Sequence, residues 1–61
     1  MQTAEPLAFN IWLRCEAYGT TFSRIVTADD ITAAVEKYVQ DIMSRHSISR
    51  RNLTVSLAQP I

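Results

Sequence analysis

From Leu7 to Glu16 the chain alternates without a break. Phe9, Ile11, Leu13 and Cys15 fall on one side, and Asn10, Trp12, Arg14 and Glu16 on the other. A strict period of two is the signature of a β-strand with one apolar face. A sheet built on such a strand must be covered on the apolar side by a second layer. The other side carries the chain's only tryptophan among polar neighbours.

Few ways exist to stabilise that layer. The chain has 61 residues, enough for one domain over residues 1–61. A domain of this size buries only about 60% of the surface its unfolded chain exposes. Its core seldom contributes more than about 3–5 kcal/mol net. Cys15 is the only cysteine, which excludes an internal disulfide. Cys15 and His46, distant in sequence, fall short of the ligand set of a structural zinc. No cofactor motif is present, because one glycine makes neither a phosphate loop nor a dinucleotide fingerprint. Self-association or a partner is the remaining support.

Six basic and six acidic residues cancel, so net charge does not draw the chain to nucleic acid or an anionic membrane. No apolar run is long enough to span a bilayer. The start, MQTAEPLAFN, lacks a basic segment and carries Glu5, unlike a secretory signal. A lone thiol suits a reducing compartment, and the expected location is cytoplasmic. Residues 1–5 show no periodicity and are expected to be disordered. Pro6 suits the start of a strand.

The first strand covers 7–16. The only glycine, Gly19, marks a hairpin turn whose type stays open. TTFSRIVTA is a second strand, rich in β-branched residues. Its facing has two solutions. Perfect alternation sets Phe22, Arg24 and Val26 against Ile25, whereas a bulge near Ser23–Arg24 brings Phe22 and Ile25 together. Thr27 and Asp30 resemble a capping box, which predicts a helix over about 28–45. Ile31, Ala34, Val35, Tyr38, Val39 and Ile42 form its apolar stripe. Arg45 and His46 suit its C-terminal end. Ile48 is expected to fold back as a lid. LTVSLA is a third strand over 53–58, with Leu53, Val55 and Leu57 toward the core.

The order β-β-α-β, with a right-handed crossover, places the first strand between the other two. The expected fold is a two-layer α+β domain: a three-stranded antiparallel or mixed sheet of order 2-1-3 with one helix on one face. The core draws on Leu7, Phe9, Ile11, Leu13, Leu53, Val55 and Leu57, with Phe22 or Ile25 added. Patterns of this kind are generic among small bacterial and phage-like proteins and imply no activity by themselves.

Trp12 then lies mid-sheet on the face without a helix, beside Asn10 and Arg14 and flanked by Thr54 and Ser56. If the second strand alternates in phase, Phe22, Arg24 and Val26 join it. Three readings remain open: a lid packed over small hydroxyls, a protein interface, or a stacking platform for nucleic acid. Trp and Arg are enriched among binding hot spots, which makes Trp12, Arg14, Phe22 and Arg24 the first candidates. Val55 belongs with them through its strand, because LTVSLA shows no charge, no internal proline and no visible bulge. Such an edge invites pairing with another strand.

Catalytic groups are scarce. Cys15 follows the core-facing alternation, where thiols are mostly inert. His46 reads as a solvated or capping residue. Asp29 and Asp30 are explained by a helix start. Arg45, Arg50 and Arg51, interleaved with serines, form a small basic patch able to hold phosphates or an acidic protein. The sequence therefore points to a small non-enzymatic protein-binding domain, self-associating through the open face or the strand edge. Another protein as partner, and a nucleic-acid-associated regulator using Arg45, Arg50 and Arg51, are the alternatives. No small-molecule substrate is evident.

Overall fold

The computed structural model describes residues 7–61, so the expectations for residues 1–5 and Pro6 lie outside the described residues. Strand β1 spans Leu7–Cys15, β2 Thr20–Ala28, helix α1 Ile31–His46 and β3 Leu53–Pro60. A short 3-10 turn, Arg50–Asn52, precedes β3. The sheet has the order β2-β1-β3, with β1 antiparallel to both neighbours. One helix packs on one face, giving the small α+β fold expected from the alternation.

The hairpin loop fixes which side of β2 faces the core. Four residues, Glu16–Gly19, separate β1 from β2, and Cys15 pairs with Thr20. Gly19 takes φ +61°, the left-handed conformation that such a loop requires and that glycine adopts freely. Directly paired residues share a face, so Phe22, Arg24, Val26 and Ala28 lie with Leu13, Ile11, Phe9 and Leu7 under the helix. The β2 alternation is unbroken through Ser23–Arg24. Phe22, Arg24 and Val26 therefore do not join Trp12, and Ile25 is not in the core. Arg24 escapes burial because β2 is an edge strand. Its side chain leaves over the rim and reaches Asp41 on α1 at 3.5 Å.

The helix begins later than Thr27 suggests. Thr27 and Ala28 are held extended by pairing with Ala8 and Leu7. Asp30 is the N-cap instead, its Oδ1 accepting the Ala33 N–H at 2.7 Å. At the other end Ser47 turns the chain with φ 53°, and Ile48 folds back, 5% exposed.

The core comprises Phe9, Ile11, Leu13, Cys15 and Val26 against Ala34, Tyr38, Val39, Ile42 and Ile48. Leu7 is exposed at the sheet end. The third strand departs most from expectation. Leu13 pairs with Val55 but Trp12 pairs with Leu57, so Ser56 is an extra residue and β3 carries a bulge. One extra residue reverses the parity of everything beyond it. Leu53 and Ala58 pack against the core, whereas Leu57 faces the Trp12 side, and Val55 at the bulge is 44% exposed.

Two substitutions at the helix ends should shift stability in opposite directions. Asp30→Ala removes the cap and should cost about 1 kcal/mol, roughly 4–8 °C in Tm for a domain of this size. Ser47→Gly relieves a left-handed non-glycine residue and should raise Tm, by up to about 1 kcal/mol of stability. Thermal melts followed by circular dichroism test both.

Candidate functional site

The open face of the sheet reads as a grid of paired rows. From one end they are Thr27–Ala8, Ile25–Asn10–Gln59, Ser23–Trp12–Leu57 and Thr21–Arg14–Thr54. Trp12 sits in the central strand with Leu57 directly opposite and Ile25 diagonal to it. Cross-strand and diagonal neighbours of an aromatic are within contact reach. Trp12 is 41% exposed, Leu57 40% and Ile25 60%, and among the described residues no element covers this face. Arg14 is the only charged side chain in the four rows. It lies 3.4 Å from Glu16 at the far end of the face.

The sequence placed Thr54 and Ser56 beside Trp12. The bulge puts Leu57 there instead, sets Thr54 opposite Arg14, and leaves Ser56 unpaired in register. Of the residues singled out for an interface, Trp12 and Arg14 share the open face. Phe22 and Arg24 stand on the helix side, and Val55 is paired with a core residue. Leu57 and Ile25 are the residues that sequence reasoning missed. Their apolar character was visible, but their facing depended on a bulge and on a loop length.

A second surface lies between the outer edge of β2 and α1. It is an open groove of about 560 Å³ lined by Arg24, Ile25, Val26, Thr27, Lys37, Tyr38, Gln40, Asp41 and Arg45. Asp41 receives both Arg24 and Arg45, the latter at 2.9 Å one helical turn on. Lys37 Nζ donates to the Thr27 carbonyl at 3.0 Å. Burial pushes the Tyr38 phenol above its ordinary value; Arg24 opposes this, Asp41 adds to it and Arg45 opposes it.

The basic loop is partly neutralised. Arg45 is held by Asp41, and Arg50 makes a two-point hydrogen bond to Glu36 through both guanidinium NH groups. Among the described residues only Arg51 of the three has no carboxylate partner. His46 lies beside Phe22, their ring centroids 4.9 Å apart. Cys15 is fully buried, whereas reactive thiols are partly exposed. Among the described residues no three His, Cys, Asp or Glu side chains converge as metal ligands, and no helix is long and apolar enough to cross a membrane.

No family model, no curated protein and no solved structure matches this chain.

The Arg50 hydrogen bonds hold the Glu36 carboxyl below its ordinary value, against the opposing effect of burial, with the Arg50 charge adding to the lowering. A depressed folded-state pKa means the pair stabilises the fold above the ordinary glutamate range. That contribution is lost as pH falls through the folded value. In Arg50→Gln the Glu36 midpoint should rise toward the ordinary carboxylate range. Carboxyl-carbon NMR titration measures it, and an unmoved midpoint would show that Arg50 does not hold Glu36 in solution.

Proposed function

We propose that this protein is a non-catalytic protein-binding domain that associates with a second copy of itself through the open face of its sheet. The observation that carries this reading is the Trp12–Leu57 pair, with Ile25 beside it, on a face that has one charged side chain. Contiguous apolar patches on a monomer's surface tend to mark interaction sites. An enzyme would need converging polar groups. Among the described residues the polar groove beside α1 offers no free carboxylate or amine of this kind, since Asp41 is held by Arg24 and Arg45 and Lys37 is bonded to the Thr27 carbonyl.

Physical economy supports the same reading. A core of one helix on three strands gives little net stability. Covering what remains exposed of Leu57, Ile25 and the Trp12 ring adds burial at roughly 25 cal/mol per Å² of apolar surface removed from water. Two sheets packed face to face place their backbones about 10 Å apart, with the inner side chains interdigitated. A two-fold arrangement sets the same patch against itself. The β3 edge is the weaker alternative, because a bulge twists an edge away from a pairing strand. Nucleic-acid binding through the basic loop is also weakened, since Arg45 and Arg50 are already held by carboxylates.

The test is solution mass by light scattering across a concentration series, with Trp12 emission read on the same samples. The mass should double with concentration and the emission should shift to the blue. Trp12→Ala and Leu57→Lys should each give a monomer with unchanged far-ultraviolet dichroism. A monomer at every concentration would end the self-association reading, and a dimer indifferent to both substitutions would remove the open face from it.

A further inference from the structure

Strand β2 lies at the sheet edge, and two contacts fix which of its backbone groups are free. The Ala8 carbonyl accepts the Ile61 N–H, on the β3 side of β1. The N–H and C=O of a strand residue point the same way, and the direction alternates along the strand. Phe9, Ile11 and Leu13 therefore bond toward β2, and their partners Val26, Arg24 and Phe22 turn their backbone groups inward. Thr21, Ser23, Ile25 and Thr27 turn theirs outward. The second contact agrees, because the Thr27 carbonyl is free to accept Lys37 Nζ at 3.0 Å.

These outward groups open onto the groove beside α1. Four consecutive residues of β2 line it. Alternate side chains leave a strand on opposite faces, so the strand backbone itself forms that wall. The other wall is charged. Arg24, Lys37 and Arg45 face one carboxylate, Asp41, and Lys37 is bonded to a carbonyl rather than an acid. The surface combines a regular nine-residue edge without a bulge and an excess of positive charge on the helix side.

We propose that β2 accepts an extended segment of an acidic partner protein as a fourth strand. Main-chain hydrogen bonds to Ser23 and Ile25 would supply affinity, and alternate side chains would supply specificity. Partner residues opposite Arg24 and Val26 point into the groove, where carboxylates meet Arg24, Lys37 and Arg45. Residues opposite Ser23, Ile25 and Thr27 lie on the open face, where β-branched side chains cover Ile25. The fitting segment alternates acidic and β-branched residues. A second copy fits poorly, because β2 and β3 contain no carboxylate. An antiparallel β2 pair centred on mid-strand also sets Arg24 beside its own copy. The proposal does not depend on association through the open face.

The probe is a short capped peptide alternating valine and glutamate, with a lysine counterpart as control. Binding is followed by fluorescence anisotropy and by amide exchange of the full chain. The glutamate peptide should bind, weaken with added salt, and protect the Ser23 and Ile25 amides. Arg24→Glu and Lys37→Glu should each weaken it by about tenfold or more, whereas Arg51→Glu should not. Ile25→Pro removes an outward N–H without touching a bond to β1, and should abolish binding in a chain that still folds. No binding up to about 1 mM, or equal binding of the lysine peptide, would overturn the proposal. So would protection on β3, binding that leaves the β2 amides unprotected, or binding undiminished in Arg24→Glu and Lys37→Glu. Concentration-dependent protection of Ser23 and Ile25 in the chain alone would overturn it in favour of a second copy.

Discussion

Strand β1 holds this protein together. Among the described residues it is the only strand paired on both sides, and four of its side chains, Phe9, Ile11, Leu13 and Cys15, are almost wholly buried under the helix. Both neighbours take their facing from it. The four-residue hairpin loop sets β2 in register against Cys15, and the turn after α1 delivers Leu53 to the other side of the same residue. With one helix as cover, the apolar face is closed, and among the described residues the opposite face has no second layer. Each surface available for binding follows from that asymmetry.

The bulge at Ser56 gives the open face its character. Regular pairing would have sent Leu57 to the core and left Trp12 among hydroxyls, a lid over a polar sheet. The extra residue exchanges Leu57 for Ala58 on the core side and sets Leu57 against Trp12. It also disrupts the β3 edge, so the uninterrupted edge of the sheet is β2. One local irregularity thus enriches the open face in apolar groups and moves the better site for strand addition to the opposite edge.

Charge on the helix side is organised by two carboxylates on α1. Glu36 holds Arg50, and Asp41 holds both Arg24 and Arg45. Each pair is exposed, and exposed pairs add little stability, typically about 0–1 kcal/mol. Their consequence is spatial. They tie the basic loop to the helix and draw Arg24 away from the core. They also leave the groove beside β2 with more cations than acids. A neutral chain therefore still has a locally positive surface, next to the outward backbone groups of the β2 edge.

The element order, the sheet order, the core side of β1 and the helix stripe from Ala34 to Ile42 were legible in the order of residues, whereas Ile31, expected in that stripe, is exposed in the first turn. The legible features follow from periodicity or from the handedness of the crossover, which are properties of the chain. Ile48 was legible as a lid for the same reason, being an apolar residue set among polar ones just past a helix end. Facing was not legible in the sequence. The side presented by Phe22, Arg24 and Ile25 depends on a loop whose length is fixed by where pairing begins, and TTFSRIVTA offers plausible apolar residues on both sides. The placement of Leu57 depends on a bulge inside a segment that alternates perfectly, so no local pattern betrays it. The helix start moved from Thr27 to Asp30 because sheet pairing holds Thr27 and Ala28 extended. The pairing of Arg50 with Glu36 was not legible, because the two are fourteen positions apart and meet only when the turn after α1 folds back. Periodicity is local and survives in a sequence; register and ion pairing are contacts between distant segments, and they exist only once the chain has closed on itself.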